Sequence, residues 1–334
     1  MTEPRTFRLG ILALEGGMLS SIASSGDMLK VAQRLAEIRD PANGPRFESV
    51  VISARGATTM RTATGLELSG LEPPPERLDV LLVPGVIYSS AGELYRHVHE
   101  LAPELELIRA LHLRGVRIAA SCSGTFLLAA TGLLDGHRAT TSWWLAAAFR
   151  QRFPKVQLEP DAIVMEDGEF FTTGGASAIQ SLVLRLIEQG GGRELAQQAA
   201  RMMLIDPDRQ SQAPYVSAAL MEKPRSSLSE KAEKFLQREL HHELTVSSLA
   251  KHVGTSERSL LRHFKSQYGA SPLAHIQHLR VERAKAMLEA THLSFDEIVE
   301  RCGYTDVSSF RKLFKRATTL TPVDYRERFR LRAR

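Results

Sequence analysis

"GVRIAASCSGTFLLAATG", residues 115–132, is the stretch that decides the fold. An apolar run from Val116 to Ala120 reaches Ser121, Cys122, Ser123 and Gly124, then passes directly into a helix-like pattern. A strand that turns this sharply into a helix presents the turn residue at the carboxyl edge of a sheet. Nucleophiles are mounted on such elbows. Cys122 is therefore either a catalyst or a remnant of one in a pocket that now only senses.

Working outward, "FRLGILAL" (7–14), "FESVVISA" (47–54), "LDVLLVPG" (78–85) and "VRIAAS" (116–121) are short runs rich in β-branched residues and leucine. They read as buried parallel strands. Helical patterns fall near 25–39, 91–113, 124–131, 143–152, 176–189 and 193–204. This alternation predicts an open α/β sheet with helices on both faces. Ligands of such sheets bind beyond the carboxyl ends of the strands. The turns "LEGG" (14–17), "PGVIYSS" (84–90) and "SCSG" (121–124) converge there, which makes Glu15, Gly16, Gly85, Cys122 and Ser123 candidate ligand-binding residues.

The chain of 334 residues is long enough for two cores. No run approaches the roughly 18 apolar residues of a membrane span. "MTEPRTFRLG" lacks a basic region followed by an apolar stretch, so no secretion signal is expected. Two cysteines, Cys122 and Cys302, make no disulfide framework, and metal-ligand spacing is absent. We expect a cytoplasmic protein with no cofactor, no metal and no membrane contact. Residues 1–205 form the expected α/β domain. Residues 206–227, with Pro207, Pro214 and Pro224, read as a linker, and 228–334 read as nearly all helix. The net charge of +5 divides into −2 for residues 1–205 and +7 for the remainder, which suggests a module that faces nucleic acid.

That module repeats itself. "TVSSLAKHVGTSERSLLRHFKSQYGASPLAHIQHLR" (245–280) aligns with "SFDEIVERCGYTDVSSFRKLFKRATTLTPVDYRERFR" (294–330). Gly254 pairs with Gly303, Phe264 with Phe314, Lys265 with Lys315, and Ser271-Pro272 with Thr321-Pro322. Each unit is a short helix, a glycine turn and a second helix. Thr245 and Ser294 are N-caps, and Ser294 with Glu297 makes a capping box. On the second helix of the first unit, Leu260 and Phe264 share one face and Arg258, Arg262 and Lys265 the other. On its counterpart, Phe310 and Phe314 face inward, Ser308, Lys312 and Lys315 point away, and Arg311 lies at the flank. With Ser256 at the start of the first, these eight polar residues are the candidate DNA contacts. A solvated charged face is the plain alternative, but two such faces in tandem favour major-groove entry.

Residues 228–331 resemble the AraC-type transcription-regulator DNA-binding domain. Gly303, Tyr304, Asp306, Ser308, Phe310, Phe314, Lys315, Pro322, Tyr325 and Arg326 fall where that family's pattern wants them. The resemblance implies two helix-turn-helix units joined by a long helix, near 273–289, that enter adjacent major grooves. Thr318 and Thr319 replace an aromatic residue and a glycine, so a looser helix end is expected there.

The first 205 residues resemble PfpI-type domains of the glutamine-amidotransferase-like superfamily, through "VPG" (83–85), "ASCSG" (120–124) and "AATGLLDGHRATTSWW" (129–144). Regulators of the GlxA type fuse such a domain to an AraC-type domain. The resemblance implies a flavodoxin-like open parallel sheet. It also implies a pocket to which Ser142 belongs, where these regulators often carry histidine. A cysteine at a helix N-terminus has its thiolate favoured by the dipole and free N–H groups. Those groups and that of Gly85 suit an oxyanion hole. The hydrolases, however, have a histidine directly after the cysteine and a glutamate after the first strand; here these positions hold Ser123 and Met18. The reading is a transcription regulator, not an enzyme. A small-molecule effector binds a catalytically inactive elbow, and the N-terminal domain pairs two copies. Promoter DNA binds the C-terminal domain, and RNA polymerase is a further partner. A cysteine amidase or hydrolase tethered to DNA and a thiol redox sensor through Cys122 are the alternatives.

Overall fold

A computed structural model describes residues 6–217, 227–242 and 244–330. The chain divides into two compact units, Met1–Gln212 and Ala213–Arg334.

The first unit is an α/β sandwich. In chain order it holds β1 (Thr6–Leu12), α1 (Leu19–Arg39), β2 (Arg46–Ile52), β3 (Thr59–Arg61), β4 (Glu67–Ser69), β5 (Val80–Val83), α2 (Ala91–Glu100), α3 (Ala102–Leu113), β6 (Arg117–Ser121) and α4 (Gly124–Ala130). It continues with β7 (Arg138–Ala139), a 3-10 turn at Trp143–Leu145, α5 (Ala146–Arg152), β8 (Gln157–Leu158), β9 (Val164–Asp167), β10 (Phe170–Thr173), α6 (Ala178–Gly191) and α7 (Arg193–Met202). The main sheet runs β2-β1-β5-β6-β10-β9. All pairings are parallel except β10 with β9. The four expected strands are present. The helical pattern at 91–113 is two helices, because Pro103 lies in the first turn of the second.

Side-chain alternation along the buried strands feeds two cores. Ala119 and Phe171 pack with α1, α6 and α7, while Ile118, Ala120 and Phe170 pack with α2 to α5. The turns after β1, β5 and β6 meet at the carboxyl edge. Gly17 bridges Val86, and the Met18 N–H donates to Gly85 O at 2.8 Å. The stretch read as a linker begins differently. Ile163 N–H donates to Gln210 O (3.1 Å) and Gln212 N–H to Asp161 O (2.7 Å), so 210–212 close onto the segment before β9. Residues 218–226 of that stretch lie outside the described residues.

The second unit opens on a 3-10 turn, Ala213–Tyr215. Among the described residues seven helices follow: α8 (Ser227–Glu239), α9 (Val246–Val253), α10 (Glu257–Tyr268), α11 (Pro272–Ala290), α12 (Phe295–Arg301), α13 (Val307–Thr318) and α14 (Pro322–Phe329). The expected N-caps are in place: Thr245 with Ser248 and Ser294 with Glu297 both close capping boxes. Gly254 and Gly303 take φ of 72° and 75°, the left-handed conformation each inter-helix turn requires. Leu249, Leu260, Phe264 and Ile276 fill one core, and Ile298, Phe310, Phe314 and Tyr325 the other. The long α11 supplies both, with Ile276 in one and Val281, Ala284 and Leu288 in the other. Arg280, on the same helix, is buried, donates to Leu240 O and His242 O, and lies over the Tyr304 ring.

The expected loose end of α13 is closed instead. Thr319 adopts φ 62° and donates its N–H to Lys315 O at 2.8 Å, while buried Thr318 turns its hydroxyl onto Phe314 O. A β-branched residue thus stands in a conformation that glycine adopts without strain.

Candidate functional site: a cysteine elbow and a pair of basic helices

Cys122 sits at φ 57° between β6 and α4 and is buried. The elbow is close-packed beneath: a Cβ on Gly124 would stand 2.5 Å from Val83 O. Gly85 faces the cysteine, and its Cβ would lie 3.2 Å from that of Cys122. Two serines flank the sulfur. Ser142 Oγ lies 2.9 Å from Sγ, and Ser123 follows the cysteine directly in the chain. The Ser123 hydroxyl also accepts from Val86 N–H and donates to Val86 O, each at 2.8 Å, so it locks the 84–86 loop to the elbow. Thr141 Oγ1 donates to Cys122 O at 2.8 Å.

This differs from the thiolate that the helix terminus suggests. Burial pushes the Cys122 thiol above its ordinary range, and the hydrogen bonds of Ser142 and Ser123 oppose this without reversing it. The Cys122 N–H, expected to be free for an oxyanion, already donates to Thr173 O at 3.1 Å. Glu15 is exposed, and its carboxylate accepts from Arg61 N–H; Gly16 N–H donates to Arg61 O. Both residues are thus tied to β3, and Met18 reaches the elbow instead. The histidines are engaged elsewhere: His97 near Glu100, His112 near Glu169 and His137 near Asp167.

Sequence reasoning missed three hydroxyls. Ser21 Oγ, Ser121 Oγ and Thr173 Oγ1 are fully buried and have no hydrogen-bond partner among the described residues. Ser121 and Thr173 are register partners at the ends of β6 and β10, beside Cys122, on the sheet face that α1 and α6 cover. Trp144 is half-buried and donates from Nε1 to Tyr88 OH at 2.8 Å. A separate cleft of about 610 Å³ lies away from the elbow, between α6, α7, β9 and residues 207–210. Arg185, Glu188, Arg193 and Arg209 line it. Among the described residues, no group of histidine, cysteine or acidic side chains is arranged to hold a metal. None of their helices is long and apolar enough to cross a membrane.

In the second unit, Leu260 and Phe264 of α10 and Phe310 and Phe314 of α13 are buried. Arg258, Arg262, Lys265, Ser308, Arg311, Lys312 and Lys315 are exposed. Ser256 caps α10 by accepting from Ser259 N–H, and Asp306 caps α13 by accepting from Ser308 and Ser309 N–H. The Arg311 guanidinium lies over the Phe295 ring at 4.8 Å, at the flank of its helix. Cys302 is a fully buried member of the second core, its thiol pushed up to about 12 by desolvation.

Comparison with known proteins agrees with this geometry. A DJ-1/PfpI family model matches residues 48–189, and a helix-turn-helix domain model matches 249–328. The chain is a DNA-binding transcription regulator that joins a DJ-1/PfpI domain, with its flavodoxin-like sheet, to an AraC-type helix-turn-helix domain. This is the architecture of AraC-family regulators such as GlxA and GbdR. The chain is 28% identical over 328 residues to the HTH-type transcriptional regulator GlxA of Rhizobium meliloti, covering 96% of each chain. It is 26% identical over 328 residues to the HTH-type transcriptional regulator GbdR of Pseudomonas aeruginosa, covering 96% of this chain and 84% of that one. A solved structure of a proposed transcriptional regulator from Vibrio parahaemolyticus covers 60% of this chain and all of its own. Its TM-score is 0.50 at 23% identity, which supports the α/β fold.

Proposed function

We propose that the α/β domain binds a small effector at the Cys122 elbow and thereby controls how the C-terminal domain engages promoter DNA. The carrying observation is the elbow itself: Cys122 stands at φ 57° at the carboxyl edge of the sheet, its Sγ 2.9 Å from Ser142 Oγ, where the turns after β1, β5 and β6 meet. Cys122 and Ser142 offer an effector a thiol and a hydroxyl. Cys122 serves binding and not turnover: its thiol stays protonated, and Ser123, Met18 and Ser142 stand where hydrolases and related regulators carry titratable side chains. In this reading Arg258, Arg262 and Lys265 of α10 and Lys312 and Lys315 of α13 face the major groove. Ser256, Ser308 and Arg311 contact the flanking backbone. The protein works in the cytoplasm as a homodimer through its N-terminal domain, with RNA polymerase as a further partner.

The test is a thermal-shift panel of amines, amino acids and amides against the full chain. An effector raises the midpoint in a concentration-dependent manner. Cys122→Trp, which fills the elbow, should abolish that shift. A shift that survives Cys122→Trp moves the site elsewhere, with the cleft at Arg185 and Arg193 as the next place to probe.

A further inference from the structure

Gln212 is the last residue of the α/β unit, yet its polar side chain is 3% exposed. Its Nε2 lies 2.9 Å from Pro160 O, 3.0 Å from Ala162 O, 3.0 Å from Thr141 O and 3.4 Å from Thr140 Oγ1. Its Oε1 accepts from Gly175 N–H at 3.1 Å. Space is made for it by glycine: a Cβ at position 174 would stand 2.1 Å from Gln212 Cδ. Amide groups enclosed this completely are either fully satisfied or expelled, because a half-paired buried amide is costly.

The strip Thr140–Ser142 lies between Gln212 and the cysteine. On one side, Thr141 Oγ1 donates to Cys122 O, Ser142 Oγ meets Cys122 Sγ, and Thr125 Oγ1 of the elbow helix donates to Thr140 O. On the other, Thr141 O and Thr140 Oγ1 face the Gln212 amide. One three-residue segment is therefore bonded at once to the candidate pocket and to the place where the chain leaves the domain.

We propose that Gln212 is a positioning residue that relays the state of the Cys122–Ser142 elbow to the chain exit, so that a group entering the elbow displaces the Thr140–Ser142 strip and releases residues 210–212. Its regulatory meaning rests on the effector reading above, but the relay itself does not require the effector to be known. Hydrogen-bonded segments of this kind open as units, and opening is read by amide exchange.

The experiment is hydrogen–deuterium exchange on the full chain, followed at residues 161–163, 174–175 and 210–212. A wedge, Cys122→Met, stands in for an occupant. It should speed exchange at Gly175 and Gln212 by roughly fivefold or more, the effect of losing about one buried hydrogen bond. Thr141→Val removes the hydroxyl link to Cys122 and keeps the carbonyl that faces Gln212. In that background the wedge should speed 210–212 clearly less than it does alone, because one of the three links from elbow to strip is cut. In Gln212→Met, exchange at Gly175 should be fast with or without the wedge. If Gln212→Met does not fold, the Thr141→Val arm decides alone. A wedge that leaves 210–212 unchanged overturns the relay, as does an equal acceleration with and without Thr141→Val. Failure of the effector reading shows separately, as a thermal-shift panel with no binder while the wedge still opens 210–212.

Discussion

Truncating Arg262 to alanine separates base reading from charge attraction. Arg262 is exposed on α10, opposite buried Leu260 and Phe264, and forms no hydrogen bond or ion pair with the described residues. Its removal should change folding stability by no more than about 0.5 kcal/mol, so the loss appears in DNA affinity. An arginine that bridges O6 and N7 of a guanine is worth about 1–3 kcal/mol of discrimination. At 1.4 kcal/mol per factor of ten, that is roughly 5- to 150-fold in Kd for a cognate duplex. A scrambled duplex should lose far less, and one or two base positions should relax. The assay is fluorescence anisotropy of the full chain with duplexes carrying each single base substitution, at one fixed salt concentration. Equal weakening on cognate and scrambled DNA, with the log–log salt slope falling by about 0.9, would make Arg262 a phosphate contact and refute the base-reading assignment.

Three further outcomes follow from the same geometry. Thr319→Gly should stabilise the C-terminal domain by about 0.5–1 kcal/mol: relief of left-handed strain exceeds the entropy glycine adds to the unfolded chain. A higher urea midpoint at unchanged slope checks this, and a lower one means that the Thr319 hydroxyl bond to Thr318 O outweighs the strain. His278 is held down to about 4, by burial and then by His275 and Lys285. Below its ordinary 6.5 the unfolded chain takes up a proton that the folded chain refuses. Stability should therefore fall as pH drops from about 6.5 to 4, by up to roughly 3 kcal/mol, and His278→Gln should flatten that decline. An unchanged decline in His278→Gln removes His278 as its cause. Both thiols are pushed upward, so iodoacetamide at pH 7 should label neither Cys122 nor Cys302 quickly in the folded protein. Rapid labelling of Cys122 would restore the nucleophile or redox-sensor reading.

The fold was legible where periodicity and turn chemistry agree. The apolar runs ending at Val83 and Ser121 announced the parallel sheet, and the glycines at 254 and 303 with their caps announced both helix-turn-helix units. The antiparallel edge β9–β10 was not legible, because "FFTT" is short and its neighbour "VMED" carries no alternation. At the elbow, sequence placed Cys122, Gly85 and Ser142 together but could not weigh desolvation against the helix terminus, which depends on how deeply the sulfur is enclosed. Glu15 shows the limit of spacing: the turn brings it near the edge, yet its carboxylate is drawn to the Arg61 amide. Gln212 looked like linker because its burial depends on contacts with Thr141, Pro160 and Gly175, all distant in the chain.

Binding of the full chain to the DNA upstream of its own coding region, against a scrambled duplex of equal length across a salt series, tests the central claim most directly. A regulator that neutralises several phosphates through its +7 C-terminal part should lose on the order of a thousandfold in affinity between 50 and 200 mM salt. It should also prefer a true operator by at least about a thousandfold over the scrambled duplex. No measurable affinity for any duplex, or a cognate affinity that is insensitive to salt, would contradict it.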